Sequence, residues 1–424
     1  MPINIQYLAS RKNMVSVIKK ICLLSHGQPS RNPRLVRYAT VLANAGYEVV
    51  VITPQLVERC VIYDDELIKN VEWEYIPIDF SQTYLKRTYW HYVRLRHRIA
   101  KLLSRWFLTE TIVGYASDYL NIELYKLAVN SQADLYIAHQ QQSLPAAAWA
   151  AKYTDKKFAV DIHDLLADSP SEPRHLIENI EKNYLSKCSC ISTMSSTAAQ
   201  RIQQVNNLLE QPIVLHNTPE LCEREGILPP EQRSIQKQIT IYWFGQTIGS
   251  HSRADQVIRA MPLLEQPVKL VLRGHPNEEF INQIETLAQE LGVEHCLEIL
   301  PVASPTEMVK LAAEYDILLG TQPGDDLFHQ MAIGNKVFTG MMAGLALALT
   351  DTIAYRQLLS KSPDCGFLFS DVNETALANQ LNILIRYPEK LQDMKDNSWC
   401  LAEKYYNWEE ESKVLLNQLS RITI

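Results

Sequence analysis

No stretch of this 424-residue chain is apolar for the roughly 20 residues that a membrane-spanning helix needs, so any membrane role is expected to be peripheral. No signal-peptide pattern precedes the first apolar run at Ile18, and this points to the cytoplasm. The eight cysteines are scattered, and only Cys188-Ser-Cys190 is closely spaced. Without a paired CxxC there is no zinc-site pattern, and the spacing suits a reducing compartment. GxGxxG is missing, so the dinucleotide fingerprint is absent. The net charge of −7 argues against a general nucleic-acid binder, and no nucleic-acid motif is present. One absence is local: no acid occurs between Asp79 and Glu110.

What the chain has is 46% hydrophobic residues, enough to bury a large core in two domains. Short apolar runs alternate with helical patterns. Ile18–Ser25 reads as a buried strand, followed by the loop His26-Gly27-Gln28-Pro29-Ser30-Arg31. Asn32 is a candidate N-cap and Pro33 a good first helical residue. Leu35, Tyr38, Ala39, Leu42 and Ala43 recur at helical spacing, and Glu48–Thr53 reads as the next strand. The order predicts a doubly wound α/β unit whose first loop faces a ligand cleft. Gly27 is the residue that lets backbone approach a phosphate or sugar. Further strands are expected at Val71–Ile76, Ala133–Ala138, Phe158–Asp161, Cys188–Met194 and Ile213–His216, with helices at Leu144–Lys152 and Glu178–Lys187. His163, just past a strand end, can hydrogen-bond a sugar hydroxyl or serve as a satisfied structural histidine.

Residues 86–105 stand apart. Lys86, Arg87, Arg94, Arg96, Arg98, Lys101 and Arg105 supply cations, while Tyr92, Leu95, Ile99, Leu102, Leu103 and Trp106 fall on one helical face. Such a helix suits an anionic membrane surface, and it equally suits a surface helix that packs its apolar face on its own domain.

The polar stretch Glu220–Lys237, with Pro229-Pro230, reads as a linker. A second α/β series then starts with the strand Ile239–Phe244. This leads into a loop from Gly245 to Arg253, and a phosphate near Arg253 would gain from helix dipole and guanidinium together. Val268–Arg273, Leu297–Leu300 and Ile317–Gly320 are further strands, and Thr306–Ala313 a helix. Asp325, Asp326 and His329 share a loop that could hold a metal, although adjacent acids in a loop are commonly just solvated. In Asn335–Asp351 the pattern is turn, helix and buried strand. Phe338, Met341 and Met342 share a face, Gly344 sits at the helix exit, and Leu345, Leu347 and Leu349 form the strand. The helix start Gly334-Asn335-Lys336 offers free N–H groups and one cation, which is the description of an anion site; it is also compatible with an ordinary helix–strand step.

The ordered set of motifs resembles the GT-B glycosyltransferases, specifically glycosyltransferase family 4. SRNPRLVRYATVLANAGYEVVVIT resembles that family's first helix and second strand, and FAVDIHDL its "DxHE" strand end. LHNTP matches the step before the linker, and WFGQTIGSHSRADQVIRAM resembles the first loop and helix of the nucleotide-binding domain. GNKVFTGMMAGLALALTD resembles the "NKxFEYMxAGLPVxxxD" signature, and Tyr406-Asn407-Trp408-Glu409 the opening of a last helix that crosses back. The resemblance implies two Rossmann-like doubly wound domains facing a cleft. Residues 1–220 would bind the acceptor, completed by a C-terminal helix at about 405–424. Residues 221–404 would bind a nucleotide sugar.

It further implies a retaining, metal-independent hexosyltransferase of cell-envelope or polysaccharide biosynthesis, needing no cofactor and taking a glycan, lipid-linked or small-molecule acceptor. Arg253 would contact the diphosphate, with Gly245 in the same loop. Gly334, Asn335 and Lys336 would lie beside the diphosphate and sugar, and Arg273 near the nucleoside. Gly27 and His163 would line the sugar and acceptor side, His163 and Arg253 being the candidate catalytic residues. Thr339 and Gly340 stand where the signature has Glu-Tyr, and Met331 where it has an earlier glutamate. A threonine makes one neutral bond to a ribose where a carboxylate makes two charged ones, a loss of about 1.5–3 kcal/mol. A catalytically silent subunit that binds another transferase is therefore the alternative, and a nucleotide-sugar epimerase a third.

Overall fold

The computed structural model describes residues 18–79, 84–233, 238–322, 326–370 and 372–422. Asp325 and the linker residues 234–237 lie outside these. Two all-parallel sheets dominate. The first comprises β1 (Lys20–Ser25), β2 (Glu48–Gln55), β3 (Glu74–Asp79), β4 (Leu135–His139), β5 (Lys157–Ile162), β6 (Ile191–Thr193) and β7 (Ile213–Val214), in the order β3-β2-β1-β4-β5-β6-β7. The second comprises β8 (Thr240–Ile248), β9 (Lys269–Pro276), β10 (Leu297–Leu300), β11 (Ile317–Gly320), β12 (Ala346–Thr350) and β13 (Gly366–Phe369), in the order β10-β9-β8-β11-β12-β13. Parallel strands need helical crossovers, which cover both faces and leave the central strands buried and largely apolar. Strand order reverses between β1 and β4 and again between β8 and β11, and at such points an open α/β sheet leaves a crevice at the strands' carboxyl ends.

The helices that matter below are α1 (Pro33–Asn44), α2 (Tyr84–Leu103), α3 (Glu110–Ser117), α4 (Asn121–Ser131), α5 (Ser196–Asn206), α6 (Ala254–Ala260), α7 (Asn335–Ala343), α8 (Pro388–Lys404) and α9 (Trp408–Leu419). Helix α1 begins as its residues predict: Asn32 accepts a hydrogen bond from the Leu35 N–H, and Pro33 opens the helix. Its buried face, Leu35, Tyr38, Ala39 and Leu42, packs with Trp408, Leu415 and Leu419 of α9, so the end of the chain returns to the first sheet. The Trp408 N–H donates to Pro219 O at 2.9 Å, and the Glu411 carboxylate accepts from His216 N–H at 3.0 Å. The two segments that cross between the sheets are thereby pinned side by side.

Several boundaries differ from the sequence reading. Strand β3 lies three residues later than expected, running through Pro77 at the edge of its sheet, where a missing N–H is tolerated. The 174–184 helix starts four residues earlier, directly after Pro173. Strand β6 is confined to Ile191–Thr193. The expected loop at Gly245 does not start there: β8 continues to Ile248, with a register shift between Phe244 and Thr247, because β9 extends beside it to Pro276. Gly274 permits this pairing, since a Cβ on it would meet Gly245 O at 2.5 Å.

Helix α7 ends at Gly344, which adopts φ 69° as the sequence predicts. A Cβ there would also meet Pro230 Cγ at 2.5 Å. Gly344→Ala is therefore expected to lower the unfolding free energy by about 1–3 kcal/mol, measured by urea denaturation.

Candidate functional site

On the second sheet, the carboxyl rim carries α7. Its N-cap is Gly334, whose lack of a side chain leaves the first-turn N–H groups without a side-chain acceptor, and no acid lies in the first turn. The partial positive charge of the helix start therefore faces outward. Lys336 adds a full charge. Its ammonium lies 4.3 Å from the centroid of the Trp243 ring, an arrangement attractive in itself. Burial pushes the Lys336 ammonium down to about 8. Trp243 is fixed from below by its indole N–H, which donates to Thr321 Oγ1 at 3.0 Å. The His251 ring stands edge-on to it at 5.5 Å, and His251 is held below its ordinary value by burial and by Lys336. Gly245 lies against the same indole, and a Cβ there would meet the ring at 2.5 Å. The position thus keeps the platform under Lys336 flat.

Arg253 ends the turn 250–252 and heads α6 with φ 51°, a left-handed conformation unusual for a residue with a side chain. Arg273 lies within β9, where its Nε donates to Tyr242 Oη at 2.8 Å and its Nη1 to Pro301 O at 3.1 Å. Tyr242 is stacked on Tyr315 with centroids 4.2 Å apart. Arg273 therefore braces an aromatic pair.

Thr339, one turn into α7, is buried, and its hydroxyl donates to Asn335 O at 3.2 Å. The neighbouring departure from the family signature has a packing cause: a Cβ on Gly340 would lie 2.6 Å from Leu318 Cδ2, so α7 sits directly on β11. Met331 uses its backbone. Its carbonyl accepts from Ser195 Oγ at 2.7 Å and Thr197 Oγ1 at 3.2 Å, at the start of α5. Ser196 Oγ donates to Gln357 Oε1 at 2.6 Å. These bonds tie the first sheet's rim to the second half.

On the first sheet, Gly27 follows β1. Its N–H donates to Ser25 Oγ at 3.1 Å, and a Cβ would have ordinary contacts at 3.7 Å. Neither crowding nor a left-handed φ explains this glycine. Near the carboxyl end of β5, Asp161 is fully buried and held by Arg34 through both oxygens at 2.6 Å, with Ser192 Oγ donating at 2.6 Å. His139 Nδ1 lies 3.5 Å from the same carboxylate, and burial pushes its imidazole down to about 3, so it is neutral. His163 Nδ1 lies 3.9 Å away and is a quarter exposed. The donor atoms of His139, Asp161 and His163 are within 4.8 Å of one another, a spacing that a metal ion can use. A cation there would share its carboxylate with the buried Arg34 guanidinium, so this donor set fits an ion pair rather than a metal. Asp326 is likewise committed, capping the 327–330 helix and lying 2.9 Å from His329 Nδ1.

The structure therefore groups Gly245, Gly334, Asn335, Lys336 and Thr339 around Trp243 and α7, and places Gly27 and His163 on the opposite rim. Arg34, His139 and Trp243 are not among the residues singled out from sequence. Of the two arginines in α1, Arg34 is the buried one, and its place four residues before Tyr38 on the apolar face is the signal that could have found it.

No family model matches the chain, and no curated protein matches it in sequence. Solved structures do. Anabaena HepE in complex with UDP is 14% identical, with a TM-score of 0.70 over 95% of this chain and 100% of its own. Sucrose-phosphate synthase from Thermosynechococcus elongatus is 14% identical, with a TM-score of 0.69 over 95% and 98%. S. aureus TarM with Fondaparinux, alpha-GlcNAc-glycerol and UDP is 10% identical, with a TM-score of 0.65 over 95% and 100%.

Lys336 provides a test that separates ligand binding from folding. Its depressed value means that carrying the charge costs the ligand-free fold stability below about pH 8, and that this cost fades as pH rises through 8. Lys336→Met is expected to raise the unfolding free energy of the free protein at pH 7 by about 1 kcal/mol. It is expected to weaken binding of a nucleoside diphosphate by about 10–100-fold. Native affinity should fall as pH rises through about 8. Denaturation and calorimetry check both outcomes, and a destabilised variant with unchanged binding would make Lys336 structural. The solved structures and the two facing sheets establish what the chain is at the level of fold: it has the GT-B fold, two Rossmann-like domains facing a cleft.

Proposed function

We propose that this protein is a glycosyltransferase that moves a hexose from a nucleotide sugar to a glycan, lipid-linked or small-molecule acceptor. The observation that carries the reading is the N-terminus of α7, where uncapped N–H groups and Lys336 over Trp243 face the cleft with no acid in the first turn. A diphosphate leaving group supplies the missing negative charge. Arg253, on the neighbouring rim loop, is the second cation for it. Stabilising that departing charge by helix dipole and basic side chains is chemistry that needs no metal. Retention of configuration, with the leaving oxygen taking the acceptor's proton, belongs to the same reading. Neighbours of this fold hold UDP or UDP-glucose, which makes a uridine donor the first to try.

His163, beside the Arg34–Asp161 pair, is the candidate for orienting a sugar hydroxyl. A division at residue 220/221, with 405–424 returning to the acceptor half, fits the packing of α9 on α1. All eight cysteines are free thiols, which supports a reducing, cytoplasmic site of action in envelope or polysaccharide synthesis. The silent-subunit reading draws on Thr339, whose hydroxyl is turned to its own helix.

Incubation with UDP-, GDP-, ADP-, CMP- and dTDP-sugars distinguishes these readings by nucleotide release. Release from one donor by the native protein is expected, with donor affinity about tenfold tighter in Thr339→Glu. Release by Thr339→Glu alone would assign a degenerate site and a partner-subunit role. No release by either would overturn the transferase reading.

A further inference from the structure

The amphipathic helix α2 does not bury its apolar stripe. Val93, Ala100 and Ser104 form the face packed on the protein, whereas Tyr92, Leu95, Ile99 and Leu102 are 49–58% exposed, and Trp106 and Phe107 in the turn beyond are 72% and 57% exposed. The expected alternative, a stripe folded onto its own domain, is thus not what forms. At 100° per residue these side chains, together with exposed Tyr89 and Leu103, cover an arc of about 140°, and Arg94, Arg98, Lys101 and Arg105 occupy the adjoining strip of about 60°. All four cations are exposed. Arg96 falls inside the apolar arc but is drawn inward: its Nη2 lies 2.9 Å from the Glu123 carboxylate and donates to Tyr119 O at 2.8 Å. The stripe therefore carries no outward charge. An apolar groove of about 310 Å³ opens on the same face between Ile99, Leu103 and Ile112 of α3.

We propose that this face docks on an anionic lipid bilayer, α2 lying in the headgroup plane with its stripe among the acyl chains and the four cations among the phosphates. The pattern of an apolar arc bordered along its length by one strip of cations matches a layered partner, acyl chains beneath phosphates. The long cationic side chains can reach up from the boundary. A second copy of the chain is disfavoured by its own charge, because a twofold contact through this face would bring the same cationic strip against itself. Among the described residues no helix is long and apolar enough to cross a membrane, so the contact is peripheral.

The docking face is joined to the cleft. Asp118, which follows α3 and accepts from the Leu120 N–H just ahead of α4, lies 3.2 Å from Nδ1 of His26, the residue directly after β1. The carboxyl rim of the first sheet is therefore anchored to the docked hairpin. If the transferase reading holds, an acceptor carried on a lipid would meet that rim without leaving the bilayer; the docking itself rests on no part of that reading.

Co-sedimentation with phosphatidylcholine vesicles, with and without phosphatidylglycerol, tests this without any nucleotide. The native protein is expected to bind the anionic vesicles at least tenfold more tightly than the neutral ones, less so at high salt. Leu95→Glu with Ile99→Glu, and separately Arg98→Glu with Lys101→Glu, should each reduce that binding at least tenfold. Circular dichroism and nucleotide affinity should be unchanged in both pairs. Absent vesicle binding by the native protein, or binding that survives both pairs, would overturn the proposal. So would a lipid-free dimer that the Leu95→Glu, Ile99→Glu pair dissolves, since it would assign the face to a second copy.

Discussion

The close seating of α7 on β11 is the constraint from which the candidate site follows. Gly340 leaves room for Leu318 and brings the helix down onto the sheet, and Gly344 turns the chain straight back into β12. With its far end fixed in this way, α7 directs its start at the cleft, where Gly334 leaves the amide groups open and Lys336 reaches over Trp243. A residue larger than glycine at 340 would lift the helix, and a capping side chain at 334 would satisfy the amides that an anion needs. The same close seating also accounts for the absence of the family signature's tyrosine at 340. It does not explain Thr339, whose hydroxyl has been taken by its own helix.

The two halves meet through few, specific contacts. Ser195 and Thr197 bond to the carbonyl of Met331, and Ser196 to Gln357. The crossing segments are held by His216 with Glu411, by Trp408 with Pro219, and by the Leu221 N–H donating to Glu409. His216 also packs edge-on against Tyr406 and beside Phe338 of α7, so the crossover abuts the helix that carries the candidate anion site. The YNWE stretch thus earns its place structurally: Asn407 caps α9, Trp408 fills the core beside Tyr38, and Glu409 pins the linker.

Much of this was legible in sequence where the signal is local. Asn32-Pro33 opens α1, and Gly344 with Leu345, Leu347 and Leu349 forms the helix exit and strand. The alternation of short apolar runs with helical spacing implied parallel sheets. What could not be read depends on residues distant in the chain. The Arg34–Asp161 pair joins positions 127 residues apart. Trp243 and Lys336 meet only because β8 and β11 are neighbours. The continuation of β8 past Gly245 depends on β9, whose own extension that stretch does not encode. For α2, periodicity defined the apolar stripe but not the direction it faces, because direction is set by which neighbours the helix finds.

The central claim is that the start of α7 receives a diphosphate, and calorimetric titration of the metal-free native protein with UDP, GDP, ADP, CMP and dTDP tests it most directly. Saturable binding of at least one nucleoside diphosphate, with CMP the weakest because it lacks the second phosphate, is the result expected. Binding of none of them, or binding of CMP as tightly as of the diphosphates, would contradict it.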